Sequence, residues 1–255
     1  WEAVRACAQT GPAVATAALE RGVAYALCRP PGHHAYADSA GGFCFINTTA
    51  IAAQALREET GGPVAILDID VHHGNGTQGI FYRRGDVLTV SVHADPNDYF
   101  PFFTGYADER GEGEGEGANL NLPLAHGSGD DVYLEAVAQG LTAVAAFRPK
   151  AIVLALGLDA SQDDPIGALK VTTDGFARAA RLIARAKFPT AIVQEGGDLC
   201  EARPRTLTPV LGAFEAAAEA GAPGDVWAIG VDSDQYELVS PELQPYILTS
   251  MLKRV

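Results

Sequence analysis

The sequence contains no apolar run close to the ~20 residues that a membrane-spanning helix needs, so it predicts no transmembrane segment. It also shows no basic segment followed by an apolar stretch, which is the pattern of a secretory signal peptide. Its four cysteines have no C-x-x-C spacing and do not form the framework of a small disulfide-rich domain. We therefore expect a cytoplasmic protein in which the cysteines are reduced and buried.

Basic residues are scarce. Lysine and arginine number 18 against 32 aspartate and glutamate, which gives a formal net charge of −14. Such a surface repels nucleic-acid phosphates and favours cationic small molecules or lysine-rich peptides. Solubility alone also explains the charge. The Gly-Glu repeat at 111–117, in a long polar loop over 93–118, is either a solvated loop or the wall of a pocket for a cation.

The chain alternates short buried strands with helical patterns. Its 255 residues, 47% of them hydrophobic, suffice for one sizeable α/β core. Five apolar segments rich in Val, Ile, Leu or Ala predict strands at 23–28, 64–69, 87–92, 151–156 and 190–194. Helical patterns lie between them at 12–21, 47–58, 130–147 and 174–187. This alternation predicts a parallel sheet covered by helices on both faces.

Polar residues follow every predicted strand at its carboxyl end, where open α/β sheets place their sites. In strand order they are Arg-Pro-Pro-Gly-His-His (29–34), then Asp68, Asp70 and His72, then His93, then Asp159, and finally Glu-Gly-Gly (195–197). Five separate segments thus place polar side chains at one edge of the sheet. A random scatter of polar residues would not produce this arrangement.

The pattern Asp68-x-Asp70-x-His72 indicates a metal site. In an extended chain these three side chains share one face, and buried carboxylates are costly unless a cation neutralises them. Zinc accepts both Asp oxygen and His nitrogen, and a catalytic zinc needs three protein ligands and an open position. Asp159, at the end of another strand, is the best third ligand, although a lone Asp there can also serve as a helix cap.

The adjacent histidines His33 and His34 follow two prolines and a glycine that stiffen the loop. A pair of this kind is often no more than a surface feature. Facing a metal, one neutral imidazole can deprotonate the attacking water and the other can protonate the leaving amine. Asp68 can tune one of them if it is not itself a zinc ligand.

These segments resemble the histone deacetylase and acetylpolyamine amidohydrolase superfamily. In order and spacing the similarity covers roughly residues 12–220, and Asn75 with the stretch 93–106 is most similar to the acetylpolyamine amidohydrolase and class II deacetylase branch. The matching strings are Arg-Pro-Pro-Gly-His-His-Ala (29–35), Gly-Gly-Phe-Cys-Phe-Ile-Asn (41–47), 68–77, Leu-Gly-Leu-Asp (156–159) with Asp164-Pro165, and Glu-Gly-Gly (195–197).

The resemblance implies a fold and a set of roles. The fold would be an arginase/deacetylase-like α/β three-layer sandwich with a mostly parallel sheet and the site at the carboxyl ends of its strands. The implied roles are Asp70, His72 and Asp159 as zinc ligands, His33 and His34 as the catalytic pair with Asp68 and Asn75 as their partners, Asp68 and Ser91 as ligands of a structural potassium ion, and Gly42, Phe43 and Phe100 as walls of a substrate tunnel.

The implied activity is zinc-dependent hydrolysis of the amide of N-acetylated amines. The substrate would be a small cationic acetylated amine, acetylpolyamine first, or an acetyl-lysine peptide. We expect no nucleic-acid or membrane partner and a bacterial source, with a homodimer as one option.

The match fails at three places. The N-terminal part of the family is absent from this sequence. Asp198 stands where the family has its catalytic Tyr, and 200–209 holds two prolines where the family runs into a helix. Residues 224–255 resemble instead a fragment of the basic-membrane-protein family of nucleoside-binding lipoproteins. The sequence therefore predicts a catalytic domain over 1–223 and an unrelated tail over 224–255.

Three other functions remain open. One is a catalytically impaired relative that binds zinc and acylated ligands, because Asp198 replaces the Tyr. Another is an arginase-like binuclear manganese hydrolase, which would need further bridging carboxylates. The last is a nucleoside-binding protein, which only the tail supports. Zinc content and turnover of acetylputrescine against an acetyl-lysine peptide would separate most of these.

Overall fold

The computed structural model describes residues 1–197, 202–219, 227–230 and 248–249. Within these residues, eight strands form one sheet in which every neighbouring pair is parallel, in the order β4-β3-β2-β5-β6-β1-β7-β8. The strands are β1 (Val23–Leu27), β2 (Val64–Asp68), β3 (Val87–Ala94), β4 (Asn119–Leu124), β5 (Ala151–Leu156), β6 (Thr190–Gln194), β7 (Trp227–Gly230) and β8 (Leu248–Thr249).

Helices connect the strands and cover the sheet. They are α1 (Glu2–Arg21), α2 (Thr48–Thr60), α3 (Asn75–Phe81), α4 (Asp130–Phe147), α5 (Thr173–Arg185) and α6 (Ala202–Glu219), with one 3-10 turn at Gly113–Gly115. The side chains of Asn47 and Thr172 cap α2 and α5 by accepting hydrogen bonds from backbone N–H groups in the first turn. None of the described helices is both long and apolar enough to span a membrane.

The core lies on both faces of the sheet, as the period of two along a strand requires. In β2, for example, Val64 and Ile66 pack with α1 and α2, whereas Ala65 and Leu67 pack with α4, α5 and α6. The molecule is therefore a three-layer α/β sandwich, and the predicted fold is confirmed. Because both faces are buried, polar chemistry is confined to the strand ends.

Some details differ from the sequence-based expectation. The helix predicted at 12–21 begins at Glu2, so Pro12 lies inside α1. The two prolines of 200–209 do not prevent helix formation, since α6 runs through both of them and Pro204 falls in its first turn, where a backbone N–H has no intrahelical partner. The polar stretch after β3 also leads into β4, which was not predicted.

The tail is described only at β7 and β8. The backbone of β7 pairs with β1 from Ala24–Trp227 to Leu27–Gly230, so it continues the sheet beyond the first strand. The remaining residues of 224–255 lie outside the described part of the chain, and the division at residue 223 stays a prediction.

Candidate metal centre and active site

Two neighbouring strands place the predicted metal ligands side by side. β2 ends at Asp68, and Asp70 and His72 follow it, while Asp159 comes just after the adjacent strand β5. One ligand atom from each of Asp70, His72 and Asp159 lies within 4.8 Å of the others. The Nδ1 atom of His72 is 3.2 Å from Oδ1 of Asp70 and 3.3 Å from Oδ2 of Asp159.

The two carboxylates of this cluster are buried beside few counter-charges in the described part of the chain. Asp70 is 0% and Asp159 3% exposed, and their ion pairs within the described residues are all with histidines. Burial and the repulsion of Asp70 raise the pKa of Asp159 to about 6. Burial opposes the charge on His72, but hydrogen bonds to Asp159 and Asp70 raise its pKa to about 10. A positive charge beside the two buried carboxylates is therefore favourable, which suits a bound cation.

The backbone around the cluster packs closely against the two carboxylates. A Cβ atom on Gly196 would lie 2.0 Å from Oδ2 of Asp159 and 2.5 Å from Oδ2 of Asp70, and one on Gly157 would lie 2.2 Å from the same Asp70 oxygen. Side chains at these two positions would displace the carboxylates, so glycine is needed for Asp70 and Asp159 to keep their places. Two carboxylates and one imidazole with an open side form a donor set that fits catalytic zinc.

The two histidines of the loop after β1 lie beside this cluster and have different partners. Nδ1 of His33 is 2.9 Å from Oδ2 of Asp68, and its Nε2 is 3.7 Å from Oδ1 of Asp70. Nδ1 of His34 donates to Oδ1 of Asn75 at 2.7 Å, and the Asn75 amide donates in turn to the hydroxyl of Tyr36. The imidazole rings of His33 and His34 are 4.0 Å apart between centroids.

Different surroundings shift the pKa values of the two histidines in opposite directions. Burial lowers the pKa of His33, but the charges of Asp70, Asp68 and Glu195 outweigh it and raise that pKa well above the ordinary value. Burial and the neighbouring charge of His33 bring the pKa of His34 well below its ordinary value. Of the two imidazoles, His33 therefore binds a proton more tightly than His34.

A cavity of about 760 Å³ opens above these groups and is lined by His33, His34, Asp70, His72 and Asp159. The predicted tunnel residues line it too. Gly42 lies against His34, since a Cβ there would come within 2.3 Å of the imidazole Cδ2. The rings of Phe43 and Phe100 are 85% and 38% exposed, so they stand at the mouth of the cavity.

The residues expected to hold potassium lie on adjacent strands, because Asp68 of β2 is the register partner of Ser91 of β3. The carboxylate of Asp68 contacts His33, and Oγ of Ser91 is 2.8 Å from Nδ1 of His93. Both line a cavity of about 10 Å³, together with His73, whose buried Nδ1 has no hydrogen-bond partner among the described residues. Potassium stays a prediction here.

Sequence reasoning missed two residues beside the site. The ring of Tyr99 stacks on His72 with 4.8 Å between centroids and 7° between planes. The carboxylate of Glu195 is completely buried and accepts hydrogen bonds from the loop that carries the histidine pair. The Glu-Gly-Gly string pointed to the right strand end, but nothing in it indicated the partner of the carboxylate. Asp198 lies outside the described residues.

The fold and this site together define a class of protein. A family model described as the histone deacetylase domain matches residues 1–213, and the chain belongs to that family. The predicted family is therefore confirmed. The tail resemblance falls beyond this match and stays a prediction.

Several relatives carry the name acetylpolyamine amidohydrolase. One from Burkholderia pseudomallei is 50% identical over 217 residues, covering 85% of this chain and 63% of the relative. Acetylpolyamine amidohydrolase 1 of Pseudomonas aeruginosa is 47% identical and covers 86% of this chain and 63% of the relative. A crystal structure of the acetylpolyamine aminohydrolase from Burkholderia pseudomallei matches with a TM-score of 0.80 at 50% identity, covering 83% of this chain and 62% of that one. The chain thus spans less than two thirds of these relatives.

Proposed function

We propose that this protein is a zinc-dependent amidohydrolase that removes the acetyl group from N-acetylated amines. The observation that carries the proposal is the convergence of Asp70, His72 and Asp159 with the His33-His34 pair at one cavity. The names of two similar relatives support acetylpolyamine as the first substrate class, and the histone deacetylase family supports acetyl-lysine peptides as the second.

Asp70, His72 and Asp159 would hold the zinc, which supplies Lewis-acid activation of the water and the acetyl carbonyl. His34 acts as the general base: Asn75 holds its Nδ1–H, so the unprotonated Nε2 is free to take a proton from the water. His33 remains protonated beside Asp68 and gives its Nε2 proton to the leaving amine.

The substrate preference follows from shape and charge. Phe43 and Phe100 at the mouth suit an extended aliphatic chain, and the net charge of −14 attracts a cationic amine. We further propose that Asp68 and Ser91 bind a structural potassium ion. We also propose a cytoplasmic location in a bacterium, with a homodimer as one possible assembly. The catalytic unit would span residues 1–223, and the tail would be an addition to it.

Within this proposal, the residue at position 198 affects the rate of amide hydrolysis. Amide hydrolysis passes through a tetrahedral oxyanion, and the resemblance places a Tyr hydroxyl donor where this chain has Asp198. An ionised Asp offers only acceptor oxygens, so a catalytically impaired zinc- and acyl-ligand-binding protein is the alternative.

One experiment tests the proposal. Zinc content is measured on the purified chain, and turnover of N-acetylputrescine is compared with that of an acetyl-lysine peptide. We expect one zinc per chain and faster turnover of acetylputrescine. A chain that binds zinc and hydrolyses neither amide would establish the impaired alternative, and a chain that binds no zinc would refute both.

A further inference from the structure

We infer that Glu195 is a positioning residue that sets the place of the His33-His34 pair through hydrogen bonds to the backbone of their loop. The inference rests on the proposed amidohydrolase function. Glu195 directly follows β6, which lies between β5 and β1 in the sheet. Its own N–H donates to Leu156 O at 2.9 Å, and the carbonyl of the next residue, Gly196, accepts from Leu158 N–H at 3.1 Å.

The carboxylate of Glu195 joins three segments of the chain. Its Oε2 accepts from the backbone N–H of Gly32 at 2.7 Å and of His33 at 3.1 Å. Its Oε1 accepts from the hydroxyl of Thr49 at 2.6 Å, in the first turn of α2. The side chain is 0% exposed, so the two loop N–H groups have an acceptor without access to water.

These contacts leave His33 little freedom. Its N–H is held by Glu195, its carbonyl accepts from Thr77 N–H at 3.1 Å, and its Nδ1 faces Asp68 at 2.9 Å. The loop is also pressed against the start of α2, since a Cβ on Gly32 would lie 2.6 Å from the backbone N of Thr48. The remaining ring atom of His33 that can bond, Nε2, therefore has a fixed place beside Asp70.

Geometry rather than charge should be the property that matters. Glutamine can offer one oxygen to both N–H groups and turn its amide toward the Thr49 hydroxyl, which can accept. Aspartate keeps the charge but is one methylene shorter and leaves both N–H groups without a partner. Alanine removes every contact. Misplacement of a reacting group by about 1 Å costs on the order of 10²-fold in rate.

The test compares Glu195→Gln, Glu195→Asp and Glu195→Ala in the zinc-loaded chain with N-acetylputrescine. We expect the Asp and Ala variants to lose ~10–100-fold in kcat with KM and zinc stoichiometry unchanged, and the Gln variant to recover most of the loss. A second readout uses the metal-free chain, in which the ¹⁵N shifts of the His33 and His34 rings should change in the Asp and Ala variants and stay near wild type in Gln.

Asp86→Ala is the matched stability control. Asp86 lies just before β3, at the edge of the sheet opposite the site, and its carboxylate makes three hydrogen bonds to Arg57 and Arg84. The Asp86→Ala variant should have a lower melting temperature, with kcat and the ¹⁵N shifts of the His33 and His34 rings unchanged.

Wild-type kcat in both the Asp and Ala variants would overturn the inference, as would a Gln variant as slow as Ala or a loss of kcat that parallels loss of zinc. If Ala does not fold, the Asp and Gln variants decide. A wild-type chain without turnover would refute the proposed function. The ¹⁵N shifts of the His33 and His34 rings would still test whether Glu195 positions the pair.

Discussion

His33 and Asp68 form a buried pair in which Nδ1 of the imidazole lies 2.9 Å from Oδ2 of the carboxylate, with side chains 2% and 3% exposed. The next residue, His34, faces the neutral amide of Asn75 instead. Two adjacent histidines thus have different partners: a carboxylate, which raises the pKa of His33, and a neutral amide beside His34, whose pKa is lowered by burial. The proposed roles of the two histidines as acid and base rest on this difference.

If Asp159 binds the metal directly, Asp159→Asn should weaken zinc binding strongly. The loss of affinity should exceed the ~10–100-fold that is typical when a residue supporting the ligands is changed. In the zinc-loaded wild type, the bonding atoms of Asp70, His72 and Asp159 should lie ~2.0–2.2 Å from the ion. Titration of the metal-free protein measures the affinity, with Asp86→Asn as control, since Asp86 lies just before β3, at the other end of the strands, and pairs with Arg57 and Arg84. Wild-type affinity in Asp159→Asn would refute this ligand.

The roles proposed for the histidine pair predict a loss of rate without a loss of zinc. His34→Ala removes the general base and should lower kcat by ~10²–10⁴ with zinc stoichiometry unchanged. Asn75→Ala should act in the same direction with a smaller effect, because it only frees the His34 ring. Steady-state kinetics and zinc content on the same samples check this. If His34→Ala kept the wild-type kcat, another group would have to be the base.

The pH dependence of stability should report on Glu195. Burial raises the pKa of this carboxyl from 4.5 to about 7. A group whose pKa is raised on folding binds its proton more tightly in the folded state, so its contribution to stability is greatest below pH ~4.5 and declines as the pH rises towards ~7. Glu195→Gln lacks this decline. In the metal-free chain, its melting temperature relative to wild type should therefore rise between pH 5 and 7 and then level off; parallel curves would contradict the assignment.

Asp198→Tyr should raise the rate of amide hydrolysis. One donor to a developing oxyanion is typically worth ~10²–10³ in rate, and a tyrosine hydroxyl restores the donor that the resemblance expects. The measurement is kcat for N-acetylputrescine in wild type, Asp198→Tyr and Asp198→Ala. Rapid hydrolysis by the wild type that is unchanged in Asp198→Ala would show that another group supplies the hydrogen bond.

Salt should weaken the selection of cationic substrates. The net charge of −14 attracts a cationic amine, and the Debye length shortens from about 10 Å at 0.1 M to about 3 Å at 1 M salt. Between these conditions kcat/KM for N-acetylputrescine should fall, while that for the neutral N-butylacetamide should stay level. Equal kcat/KM values for both amides at every salt concentration would show that charge does not select the substrate.

Much of this arrangement could be predicted from the sequence, because its signals are local. Apolar runs located five strands, and polar residues at strand ends located the edge that carries the site. What escaped prediction depends on packing between distant segments: Tyr99 meets His72 across a long loop, and Glu195 meets the N–H of Gly32. The start of α1 was missed because Pro12 looked like a helix start, whereas it lies within the helix.

The position of β1 in the sheet has a consequence for how the chain folds. This strand is made early in synthesis, yet its two neighbours are β6 and β7, and the acceptor for Gly32 comes 163 residues later. Contacts of such long sequence separation form slowly, since the loop between them must first be closed. The loop with the histidine pair therefore reaches its final shape late, and a growing chain that has not yet reached β6 exposes β1 with both edges unpaired. Catalytic competence should thus appear only after nearly the whole domain has been made.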